Sequence, residues 1–124
     1  MKKRIIALTV AIMMMLSSVA LASDWVYLGR FANGEVDYID MDSAWSNEHE
    51  GGALVKGVYP NGKAVVVTSH FYYDMYKITN GSPKIYNANG QLESAFEHTS
   101  SVDASPGTVW YDLMMSFRNI MLDN

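Results

Sequence analysis

The chain of 124 residues contains no cysteine. Neither an internal disulfide nor a thiolate metal centre can form, so packing and hydrogen bonding alone must hold the fold. Basic residues are scarce as well. Lys2, Lys3 and Arg4 stand at the very start, and beyond them six Lys and Arg face thirteen Asp and Glu, a net charge of −7 with His neutral. An acidic chain without a basic patch is poorly suited to nucleic acid or to an anionic bilayer. The three histidines show no H-x-H or H-E-x-x-H spacing. His49 lies between Glu48 and Glu50, but neighbouring side chains of an extended loop rarely face one ion, so no metal site is expected. There is no G-x-S-x-G and no glycine-rich phosphate loop. The sequence therefore predicts neither an enzyme nor a bound cofactor.

What is present begins with a three-part leader. A basic start, an apolar run over residues 5–16 and a small-x-small site at Ala20-Leu21-Ala22 have the layout of a secretory signal peptide (residues 1–22), with cleavage expected between Ala22 and Ser23. The apolar run is short of the roughly 20 residues of a spanning helix, so no stable membrane span is expected after cleavage. No Cys follows it to carry a lipid. Residues 23–124 then read as one exported domain, in the periplasm, at the cell surface or secreted.

The mature chain is organised around residues 64–78, AVVVTSHFYYDMYKI, in which nine of fifteen residues are β-branched or aromatic. This predicts a long strand with a bend or bulge near His70. Val65, Val67, Phe71, Tyr73 and Met75 alternate on a core face. Val66, Thr68, His70, Tyr72, Asp74 and Tyr76 fall on a wetter face. Residues 25–31 and 36–40 flank Asn33-Gly34, and residues 84–87 and 91–97 flank Asn89-Gly90, so each pair predicts a hairpin through a type I′ turn. Pro60-Asn61-Gly62 predicts a third, between residues 53–59 and the long strand. Within residues 53–59, Gly57 signals a bulge or a close backbone approach. Residues 46–52, 79–83 and 98–105 are polar, Gly- or Ser-rich, and read as loops. At the end, Trp110, Leu113, Met114, Phe117, Ile120 and Met121 form one helical stripe behind a Thr108 cap. So wide an apolar face predicts an α+β layer in which the C-terminal helix packs on the Phe71 face of an antiparallel sheet.

Several of these segments are also met, in this order, in a known family. Asp24-Trp25-Val26-Tyr27 leads through an Asn-Gly turn to Tyr38-Ile39-Asp40 and then Asp42-Ser43. A Pro-Asn-Gly turn and a tyrosine-rich strand precede Ile85-Tyr86-Asn87-Ala88-Asn89-Gly90, and Ser105-Pro106-Gly107-Thr108 opens the last helix. The mature chain thereby resembles the surface-adhesin protein E family over nearly its whole length. The resemblance implies a sheet of about six strands with the helix on its concave face. It also implies a role at the bacterial surface, with host matrix proteins as partners and dimers among the members. The family's cysteine pair and lipid anchor have no counterpart here.

The functional expectation is thus a non-enzymatic binding domain working by protein–protein contact. The candidate surface is the aromatic face of His70, Tyr72 and Tyr76, since tyrosines give large contact area at small entropic cost. Ordinary packing, under a loop or across a homodimer, is the other reading of the same face. A periplasmic structural or enzyme-inhibitor module, docked on an envelope protein, is the alternative role. A hydrolase built on an unrecognised carboxylate pair is a third reading, and it requires a concave pocket holding two close acids.

Overall fold

The computed structural model describes residues 24–123. The leader and its cleavage site lie outside the described residues. Among the described residues eight strands precede one helix: β1 (Trp25–Arg30), β2 (Val36–Asp40), β3 (Trp45–Ser46), β4 (Glu50–Val58), β5 (Ala64–Tyr72), β6 (Lys77–Tyr86), β7 (Leu92–Ala95), β8 (Thr99–Asp103) and α1 (Val109–Leu122). The strands form one antiparallel sheet in the order β1-β2-β4-β5-β6-β7, with β3 continuing the β2 edge along β4 and β8 continuing the β7 edge along β6.

The α+β class is as expected, but eight strands replace about six. The two additions come from stretches whose side chains carry no hydrophobic pattern. The Ser-rich segment 98–105 holds β8, whose backbone pairs with Lys77–Gly81 while most of its side chains face solvent. Trp45 and Ser46 pair with Gly52 and Gly51. Residues 79–83 are likewise strand, not loop. They lie inside β6, where the register shifts opposite Val67. Ser82 there takes a positive φ of 49° and Pro83 lacks an N–H, which suits a bulge. The expected irregularity therefore lies in the partner strand, three positions from His70.

The long central run is not one strand. It ends at Tyr72, and residues 73–76 turn back into β6, with Tyr76 at φ 51°. Met75, expected in the core, is at the turn and 61 % exposed. Within β5 Ser69, Phe71 and, in the turn, Tyr73 are buried towards the helix as expected, but Val66, expected on the wetter face, is buried while Val65 and Val67 are only half-buried.

All three predicted hairpins form, but Asn33-Gly34 and Asn89-Gly90 do not make the expected type I′ turns. In each, a residue N–H and C=O bracket three loop residues: Phe31 with Gly34 and Glu35, Tyr59 with Gly62 and Lys63, Asn87 with Gly90 and Gln91. The third loop residue, Gly34, Gly62 or Gly90, carries the positive φ while the Asn before it does not. That is a type I turn closed by a glycine bulge. Asn33 and Asn61 then accept the N–H of Glu35 and Lys63 at 2.9 Å, fixing the loop exit.

The helix starts where Thr108 Oγ1 accepts the Tyr111 N–H at 3.1 Å, and Asp112 complements the dipole of its first turn. Its stripe buries Leu113, Met114 and Phe117 against Leu28, Ile39, Val55, Phe71, Tyr73 and Ile78. Phe117 stacks on Phe71 with ring centroids 4.3 Å apart. This close approach needs Gly51, where an added Cβ would meet the Tyr73 hydroxyl at 2.5 Å and the Phe117 ring at 2.7 Å. Gly51→Ala should lower stability by roughly 1–3 kcal/mol, the usual cost of overpacking, as read from urea melts.

Candidate functional site

The outer face of the sheet, opposite the helix, collects an aromatic and charged cluster. Directly paired residues of neighbouring strands point to one side, so the pairs Glu50–Tyr72, Gly52–His70 and Tyr72–Lys77 place Glu50, His70, Tyr72 and Lys77 together. The His70 imidazole stacks on the Tyr72 ring, 4.1 Å between centroids and 2° from parallel. Trp45 meets His70 edge-on at 5.4 Å, its indole lying over Gly52, where a side chain would collide with it. Glu50 Oε1 holds His70 Nε2 at 2.5 Å, and the Lys77 ammonium sits 5.0 Å from the centre of the Tyr72 ring. The result is a row of three rings, with Glu50 on the middle one, Lys77 over the Tyr72 end, and Trp45 43 % exposed at the other end.

Two of the three sequence-predicted residues, His70 and Tyr72, therefore share this surface. Tyr76 does not join them. Its positive φ turns it towards the helix, where its ring lies 6.2 Å from that of Tyr111. Trp45 takes its place, contributed by β3, a strand too short and irregular to be legible from alternation. At the margin of the cluster His49 Nδ1 contacts Asp74 Oδ2 at 2.6 Å, both well exposed. Among the described residues no group of three or more His, Cys, Asp or Glu is placed to hold a metal ion. No helix among them is long and apolar enough to cross a membrane.

The inner face holds a second feature that the sequence reading left unlocated. Where α1 begins, a cleft of about 200 Å³ remains between the helix and the sheet. Val55, Val65, Val67, Phe71, Trp110 and Leu113 give it apolar walls, and Glu35, Asp37, Tyr59, Ser69 and Asn80 add polar groups. Glu35 and Asp37 are two residues apart and so share a face, and Asp37 pairs across the sheet with Gly57. Their carboxyls occupy the space a side chain at Gly57 would need: a Cβ there would lie 2.6 Å from Glu35 Oε2 and 3.0 Å from Asp37 Oδ1. This is the close approach that Gly57 signalled.

Asp37 is only 4 % exposed, and its Oδ1 has no hydrogen-bond partner among the described residues. Burial, then hydrogen bonding to Glu35 and the Glu35 charge, push its carboxyl up to about 8. Two ionised carboxyls offer each other no donor, so the contact is satisfied only when one of them is protonated. Burial, followed by the charges of Glu35 and Asp37, also raises the Tyr59 phenol. The adjacent Ser69 hydroxyl donates to Asn80 Oδ1 at 2.6 Å.

A carboxyl pair in hydrogen-bond contact is closer than the roughly 5 Å or more that separates the two acids of a glycoside hydrolase. The pair suits holding a proton or a cationic group between its oxygens. Comparison with protein-family models, with curated proteins and with solved structures finds no match to this chain.

Proposed function

We propose that the mature chain is an exported, non-enzymatic binding domain that acts through protein–protein contact at the bacterial cell envelope or surface. The observation that carries this reading is the outer-face cluster of Trp45, His70 and Tyr72, braced by Glu50 and Lys77. Rings held by stacking and by charge lose little freedom on binding, which is what an anchor at an interface requires. Export rests on the leader at residues 1–22, and the adhesin-like role on the resemblance in segment order. A host matrix protein or an envelope protein would be the partner, with a homodimer across this face as the competing occupant. The contact direct enough to test is therefore with protein. Fractionation separates the two roles: protein at the surface fits adhesion, whereas confinement to the periplasm fits an envelope or inhibitor module.

Tyr72→Ala and Trp45→Ala should each weaken capture on an immobilised partner by about thirtyfold or more, near 2 kcal/mol. Both side chains lie on the outer face, so thermal melts should move little. Equal capture by wild type and both variants would remove the surface from consideration.

A further inference from the structure

We infer that the inner cleft beside Glu35 and Asp37 is a binding site for a small organic cation bearing N–H donors, an amidine or primary amine on a short apolar body. This site is separate from the outer aromatic face, which lies across the sheet.

Three features of the cleft lead there. Its volume, about 200 Å³, is below the roughly 300–1,000 Å³ of pockets for drug-sized ligands, so the occupant is small. The aliphatic and aromatic lining of Val55, Val65, Val67, Phe71 and Trp110 favours an apolar body. The polar end is selective. Asn80 Oδ1 accepts the Ser69 hydroxyl, and Asp37 Oδ1 is an acceptor with no donor among the described residues, in a side chain more than nine-tenths buried. Among the described residues no Lys, Arg or His lines the cleft to supply that donor. A buried acceptor beside a second carboxyl repels anions, and a neutral donor leaves the charge uncompensated. An amidinium or ammonium supplies N–H donors and positive charge together, and a planar amidinium reaches both carboxyls at once. The glycine beneath them keeps that end open, since any side chain at position 57 would displace the pair.

The groups that titrate around this end are Glu35 before β2, Asp37 on β2 and Tyr59 after β4. Among the described residues the walls from β5, β6 and α1 add no charged side chain. A cation and the shared proton compete for one place, so binding displaces that proton.

Benzamidine is the probe, with benzamide as its neutral isostere and benzoate as its anionic counterpart, titrated into the mature protein by NMR. Benzamidine should bind in the millimolar range or tighter and shift the Trp110 indole and the Val65 and Val67 methyl signals. Benzamide should bind at least about tenfold more weakly, and benzoate not measurably. Benzamidine affinity should rise several-fold between about pH 6 and about pH 9, as the proton leaves the pair. Asp37→Asn should lose at least about tenfold in benzamidine affinity while keeping the wild-type fold. A measurement on the wild type needs no variant: saturating benzamidine should lower the midpoint of the Asp37 carboxyl ¹³C titration. Equal binding of benzamide and benzamidine, an unmoved Asp37 midpoint, or no benzamidine binding by the folded protein would each overturn the assignment.

Discussion

Phe117→Ala is expected to destabilise the protein by roughly 3–5 kcal/mol, enough to leave a domain of this size near the edge of folding. Phe117 has no exposed surface. Its ring stacks on Phe71, fills the space above Gly51, and is flanked by Met114 on the same helix face. Removing it deletes the transfer free energy of an aromatic ring and leaves a cavity that Phe71 and Gly51 cannot close, because both belong to central paired strands. With no disulfide tying helix to sheet, this contact is not backed by a covalent link. Urea melts check the prediction, and a loss of less than about 1 kcal/mol would mean that the helix is not docked as described.

The second large effect is a pH dependence that a neutral side chain abolishes. In the fold the Asp37 carboxyl keeps its proton up to about 8, against 3.8 when unperturbed. Below that lower value both folded and unfolded chains are protonated and the group is neutral to stability. As pH rises through the window, the unfolded chain releases its proton and the folded one does not, so stability falls. Above about 8 both are ionised and the loss levels off. Asp37→Asn removes this term, and its amide can donate to Glu35. The variant should match wild type near pH 4 and exceed it by roughly 2–4 kcal/mol near pH 8, a melting-temperature gain of several degrees or more. Parallel pH profiles would mean that Asp37 titrates normally.

A side chain that lowers stability at neutral pH, set in a cleft, is where local cost and chemical use tend to coincide. Its position was half legible from the sequence. Glu35 and Asp37 alternate with Val36, and the Asp37 face also carries Ile39, which belongs to the core. Two acids on the buried side of a strand are a visible anomaly. That they face a glycine on the next strand depends on the register between β2 and β4, and no local pattern specifies that.

The terminal helix and the three hairpins were legible because their signals are local: a 3.6-residue stripe behind a capping Thr, and Asn-Gly pairs between alternating runs. Their turn type was not, since a glycine bulge and a type I′ turn draw on the same dipeptide. Segments 46–52 and 79–83 misled because Gly and Asn count against a strand by propensity. Here Gly51 and Gly52 are in β4 since the Phe117 ring and the Trp45 indole occupy the room above them, and Asn80 is held by Ser69. Tertiary contact outweighed propensity. At the other extreme, residues 73–76 are aromatic enough to read as strand, yet they form the turn that carries Tyr76 away from His70 and Tyr72.

The most direct test compares mature wild type with Trp45→Ala, Tyr72→Ala and Asp37→Asn on immobilised host matrix and envelope proteins. Retention of a partner by wild type and by Asp37→Asn, with loss in both outer-face variants, is the predicted result. Retention that ignores Trp45 and Tyr72, or no partner retained at all, would contradict the reading of the outer sheet face as the binding surface.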